Sequence, residues 1–170
     1  MKGSAKELCQ IAVFVALLAV SAWISIPIGA VPITLQTLAV ALAGLVLGAE
    51  RGMLATFLYL AMGFCGIPVF AGFKGGAAML LMPTGGFLFG LPVLSFLVGL
   101  GGKAKGKSVK LVTALLGLFL CYLFGAFWCQ KTGGVEGLEV IFACVLPFII
   151  PDIVKIVAAY MIAEKIKKQR

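Results

Sequence analysis

Apolar residues run along this chain in long blocks, without the period of two that marks a half-buried strand or the one-sided stripe of a surface helix. The blocks are Leu8–Ile26, Ile33–Gly48, Met53–Cys65, Phe87–Leu100, Leu111–Trp128 and Pro151–Ile166, and short stretches rich in Gly, Pro, Lys or Thr separate them. A helix that is apolar all round is either buried or in lipid, and roughly 20 such residues cross the hydrocarbon of a bilayer. The pattern predicts an all-α integral membrane protein, a single domain over residues 1–170 with six transmembrane helices.

Composition agrees. Of the residues 62% are hydrophobic and 12% charged, whereas a soluble domain carries about 25% charged residues. The first block follows Lys2 and Lys6 in the manner of a secretion signal, but the rest of the chain is just as apolar, so it is read as a mature span. Six spans bring both termini to one side. That side receives Lys2, Lys6, Arg51, Lys103, Lys105, Lys107, Lys110, Lys165, Lys167, Lys168 and Arg170; the other receives Lys74 and Lys131, and Lys155 lies within a block. Basic residues collect on the cytoplasmic side, which predicts cytoplasmic N and C termini.

Two of the blocks are short for a span. Pro27, Gly29 and Pro32 interrupt the helix before the second, so Thr34, Gln36 and Thr37 are expected at membrane depth. The connection Gly66–Gly86 holds eight Gly or Pro residues among Phe70, Phe73 and Met82. Irregular backbone at that depth is tolerated where protein or a cavity covers it. Both segments fall on the outer side, and together they predict a small-molecule pocket that opens outward.

The stretch PFIIPDIVK adds two charges within a span. Asp152 and Lys155 are three residues apart, hence neighbours on one helical face. Each costs about 2.5–3.5 kcal/mol at the centre of a lone spanning helix, so both are expected to face away from lipid and to be functional. Pro151 suggests a helix start, with Asp152 in the first turn beside the positive end of the macrodipole. Lys74, Lys131, Glu136 and Glu139 read as solvated loop charges, with Lys74 placed to steer an anion.

Other chemistry is scarce. The octapeptide GGKAKGKS, Gly101–Ser108, satisfies the phosphate-loop pattern, yet it joins two apolar spans and no acidic partner for Mg²⁺ follows a second strand. It is read as a short cytoplasmic connection. There is no histidine, and the five cysteines lack C-x-x-C spacing and are odd in number, so structural cysteines are expected, with no metal site, no cofactor and no catalytic residues. In the first block Ala12 and Ala16, continued by Ala19 and Ala22, form a stripe of small residues against which another helix can pack.

The segments VPITLQTLAVALAGLVLG, GIPVFAG, PTGGF and LPFIIPDIVK, in that order and spacing, resemble the BioY family, the substrate-binding S components of biotin transporters of the energy-coupling factor (ECF) type. The resemblance covers most of Pro27–Ile166. It implies the six-helix S-component fold in the bacterial plasma membrane and biotin as ligand. It also implies partners: an energising transmembrane subunit and two cytoplasmic ATPases, docked through an A-x-x-x-A face that Ala12 and Ala16 match. ATP hydrolysis would then occur in those partners and this chain would not be an enzyme. Asp152 would accept a ureido N–H, and Lys155 would donate to the ureido oxygen or pair with Asp152. Thr34 and Gln36 would close the first loop, Phe70, Phe73 and Phe87 would form apolar walls, and backbone near Gly72 or Gly85 would add hydrogen bonds. Ile150 and Pro151 depart from the family's usual Pro-Gly before the acidic residue, Phe87 replaces a frequent tyrosine, and Met82 a frequent glycine. An S component for another vitamin and an autonomous proton-coupled carrier using Asp152 are the competing readings.

Overall fold

The computed structural model describes residues 4–27, 31–133 and 137–169; Lys2, Gly29, Glu136 and Arg170 lie outside them. Helix α1 spans Ala5–Trp23. Ser4 caps it, its hydroxyl accepting the Lys6 amide hydrogen at 3.2 Å, with Glu7 in the first turn, where a carboxylate complements the helix dipole. Ile11, Val15, Leu18 and Ala22 recur every three or four residues and are buried. Ala12 and Ala16 are exposed, whereas Ala19 and Ala22 are buried, so the expected four-alanine stripe divides between two faces.

The chain then forms a small antiparallel hairpin, β1 (Ser25–Ile26) against β2 (Ile33–Thr34), with Ser25 opposite Thr34. This ladder satisfies backbone groups that a helix would otherwise have to satisfy. The predicted second span therefore loses its first residues to a strand, and α2 runs only from Gln36 to Leu47. Every residue from Ala39 to Leu45 is buried, which makes α2 the central helix and explains its apolar surface on all sides. Gly48, at φ 89°, ends α2 and turns the chain into α3, Ala49–Phe64; this left-handed conformation is one that glycine adopts without a Cβ penalty.

The connection after α3 is not all loop, as the sequence suggested, for it contains a helical turn and a half, α4, at Ala77–Leu81. Helices α5 (Gly85–Lys103) and α6 (Lys107–Thr132) then form a tight antiparallel hairpin joined by Ala104–Gly106. The GGKAKGKS motif is thus mostly helical. Gly101 packs on Thr113 and Lys110, and the motif follows a helix where a phosphate loop follows a strand. Helix α7 (Leu138–Cys144) leads through Val145 into α8, Leu146–Lys168.

The expected start of the last helix at Pro151 is corrected here. Pro147 occupies the first turn of α8, and Pro151 lies inside the helix. Either proline suits a helix start on sequence grounds, but the first turn is where the missing N–H costs nothing. Asp152 consequently sits two turns in, away from the dipole's positive end.

Among the described residues four helical runs are long and apolar enough to cross a membrane: Ala5–Trp23, Gly85–Lys103, Lys107–Thr132 and Glu139–Lys168. Helices α2 and α3 have 12 and 16 residues and rise only about 18 and 24 Å. Helix α2 packs on α5 and α8, α3 on α5, and α1 on α2 and α3. Glycines allow the closest crossings. A Cβ on Gly52 would lie 2.7 Å from the Gly44 Cα, and one on Gly99 would lie 2.6 Å from the Ala49 Cα. The outward surface carries Leu111, Leu115, Phe119, Leu123 and Phe127 on α6 and Ile150, Val154, Val157 and Met161 on α8, an apolar face that suits lipid.

One end of the bundle is basic. Arg51 pairs with Glu7, Lys110 with Glu164 at 3.9 Å, and the Lys167 ammonium donates to the Gly102 carbonyl at 3.5 Å. These contacts tie the start of α1 to the start of α3, and the two sides of the α5–α6 link to the end of α8. The hairpin, α4 and Asp152 belong to the opposite half.

Candidate ligand-binding site

Asp152 and Lys155 are 6% and 8% exposed, so these charges depend on partners. Both partners are present. The Lys155 ammonium donates to Asp152 Oδ1 at 2.8 Å, and the Tyr122 hydroxyl, from α6, donates to Oδ2 at 2.8 Å. A carboxylate has about four acceptor positions and an ammonium three donors. Among the described residues each Asp152 oxygen keeps a lone pair without a donor, and Lys155 keeps two N–H groups without an acceptor.

A second polar cluster stands opposite, where α2 begins. Thr34 donates to the Gln36 side-chain oxygen at 3.1 Å, and its own hydroxyl oxygen accepts the Gln36 backbone N–H at 3.3 Å. The Gln36 amide donates to Tyr59 at 2.7 Å, and Tyr59 donates to the Val69 carbonyl at 3.1 Å. The chain of bonds fixes which way the amide points. It also ties the hairpin, α2, α3 and the segment after α3 into one wall. The Phe70 ring meets Tyr59 edge-on, centroids 5.6 Å apart.

Between the clusters lies a cavity in two compartments. The inner one, about 80 Å³, is lined by Thr34, Gln36, Thr37, Tyr122, Asp152 and Lys155, with Phe87, Leu91 and Phe148 as apolar wall. The outer one, about 250 Å³, is lined by Phe70, Ala71, Met79, Met82 and Thr84, and Lys74 is the charged residue there among the described residues. Thr34, Gln36, Phe87 and Leu88 border both. A ligand that fills the pair is polar at its inner end, apolar in its middle, and within reach of a cation at its outer end.

Of the residues expected from sequence, Thr34, Gln36, Phe70, Phe87, Asp152 and Lys155 are brought together at this cavity. Phe73, expected as a wall, is not: it is 65% exposed and stacks on Trp23 with centroids 4.9 Å apart. The reason is a tight turn. The Phe70 N–H bonds to the Lys74 carbonyl at 2.9 Å, and Gly72 and Phe73 both take positive φ, 71° and 56°. This turn sends Ala71 and Lys74 toward the cavity and Phe73 away from it, so Gly72 shapes the wall without lining it. Gly85 lies outside the lining as well, packed on the Leu80 backbone at the start of α5.

Tyr122 and Tyr59 escaped the sequence reading. The chain has only three tyrosines, and all fall within apolar blocks. A buried phenol usually finds a hydrogen-bond partner, and that was the available signal.

The geometry defines a class: a helical membrane protein with a cavity at one end of its bundle, polar at its inner end and largely apolar elsewhere. Solved structures narrow the class. A crystal structure of the S-component for biotin from an ECF-type ABC transporter superposes with a TM-score of 0.87 at 30% identity, covering 97% of this chain and 92% of that one. The BioY family profile matches residues 1–170. A probable biotin transporter BioY of Pyrococcus horikoshii is 48% identical over 163 residues, 96% of this chain and 97% of the relative. The biotin transporter BioY of Thermotoga maritima is 41% identical over 165 residues, 96% of each chain. The chain belongs to the BioY family.

Proposed function

We propose that this protein is the substrate-binding S component of an ECF-type transporter and that it captures biotin from the outer face of the plasma membrane. The observation that carries the reading is the buried Lys155–Asp152–Tyr122 group, whose unused lone pairs and N–H groups face the inner compartment. A cyclic urea presents N–H donors and a carbonyl side by side. Asp152 accepts from the former, Lys155 donates to the latter, and Phe87 and Phe148 enclose the fused rings. The valerate chain extends into the outer compartment, where its carboxylate lies near Lys74. The pocket holds the ligand by hydrogen bonds and apolar contact, with no bond made or broken.

In this reading all six principal helices lie in the membrane, the two short ones with the hairpin and α4 completing the outer half. The basic end, with both termini, faces the cytoplasm. There it meets an energising transmembrane subunit and two ATPases, and exposed Ala12 and Ala16 form the contact face on α1. Hydrolysis belongs to those partners.

Titration calorimetry of the purified full-length protein in detergent tests the reading. Biotin should give a saturable one-to-one isotherm, and desthiobiotin, which keeps the ureido ring, a weaker one. An absence of biotin heat alongside binding of another vitamin would assign the pocket elsewhere.

A further inference from the structure

A small buried apolar cluster, separate from the main core, holds a pair of thiols outside the cavity lining. Cys129, in the last turns of α6, and Cys144, the final residue of α7, are each 1% exposed, and their sulfurs are 3.2 Å apart. Around them pack Val31, Val140 and Phe148. Val31 and Phe148 also line the inner compartment, so the thiols lie directly behind the ligand's wall.

We propose that Cys129 and Cys144 are a modification site, a dithiol that closes to a disulfide and clamps α7 to α6 behind the pocket. A disulfide has an S–S length of about 2.05 Å, so the sulfurs need approach by only about 1.2 Å. Both are buried, and access comes from α7 lifting. Its seven residues, set between Gly137 at φ 64° and Val145, are too few for a helix stable without its packing. The oxidant is a disulfide-bearing carrier on the side of the membrane that the pocket faces. One thiolate attacks the carrier's disulfide to give a mixed disulfide, the second thiolate displaces the carrier's sulfur, and the carrier leaves as a dithiol carrying the two electrons and two protons. The oxidised clamp holds Phe148 and Val31 in place. This last effect rests on the proposed pocket; the cross-link itself does not.

The test uses the full-length protein with exposed Cys9 and Cys65 replaced by serine, which leaves three thiols. Diamide, an azo oxidant reduced to the hydrazine as the disulfide forms, stands in for the carrier. After oxidation and unfolding, one thiol should react with maleimide, and the intact mass should fall by two hydrogens. In the same background Cys129→Ser or Cys144→Ser should keep both remaining thiols. A peptide map of the oxidised unsubstituted chain should join the 129 and 144 peptides, which covers the case in which the serine background fails to fold. Three reactive thiols after diamide, or a cross-link through Cys121, would overturn the proposal. Bound biotin should leave the oxidised protein several-fold more slowly than the reduced one; an equal release rate would overturn the clamp. If biotin does not bind at all, the pocket reading fails while the thiol count still decides the cross-link.

Discussion

Asp152 has two partners with different roles. Lys155 neutralises it, and Tyr122 orients it. Changing Asp152 to Asn removes the charge-assisted acceptor and leaves Lys155 uncompensated. Hydrogen bonds to charged groups contribute about 1.5–3 kcal/mol, so biotin affinity measured by calorimetry should fall by one to two orders of magnitude. Breaking a buried pair is also destabilising, by about 3–5 kcal/mol. Asp152→Asn combined with Lys155→Met should recover thermal stability lost by the single variant without recovering binding. Full affinity in Asp152→Asn would remove that residue from the site. Tyr122→Phe should lower the affinity less than Asp152→Asn does, because the carboxylate keeps its lysine. At this scale the charges were legible, since an ionised group in an apolar block has a large cost to explain. The tyrosines were not, because a phenol fits an apolar block without notice. Phe73 shows the limit: no periodicity foretells a left-handed turn that reverses which neighbours face inward.

The helices were readable wherever an apolar block and a helix coincide, as in α5 and α6. They were misread where one signal had two owners. Pro147 and Pro151 both suit a helix start, and the helix begins at the earlier one, with Pro151 inside it. The apolar residues before Gln36 satisfy a strand as well as a helix, and the hairpin took them. Glycine contacts were the larger omission, for the sequence shows where glycine occurs but not what it touches. Gly44 packs against the backbone of Ser95 and Gly99, so a side chain there has no room. Gly44→Leu should separate α2 from α5 and yield aggregated or proteolysed protein in place of a monodisperse peak on gel filtration. Gly106→Ala is the matched control. Its added methyl would make only an ordinary contact with Val109, and it should leave the peak unchanged.

For the whole molecule, the two ends divide the work. The cavity and its polar clusters lie at one end, whereas the clustered lysines and the α5–α6 link occupy the other. Replacing Ala12 and Ala16 together by Leu should therefore leave the biotin isotherm unchanged while abolishing co-purification with the energising subunit; normal assembly would move the contact face off α1. The phosphate-loop motif sits in a turn between two helices, α5 and α6, and lacks the preceding strand from which such a loop springs. A pattern of letters specifies chemistry only in the fold that the chemistry needs.

The ion pair has a consequence for motion. Lys155 and Asp152 ride on one helix, and among the described residues only Tyr122 donates a hydrogen bond to Asp152 from another. If α8 slides or tilts against its neighbours while a ligand passes, opposite charges never separate in a medium of low dielectric. The rearrangement breaks the hydrogen bond from Tyr122 to the carboxylate, a loss of about 1.5–3 kcal/mol against the about 3–5 kcal/mol that parting the pair would demand. Transport in such a protein can reshape its polar centre repeatedly and still keep its electrostatics closed at every step.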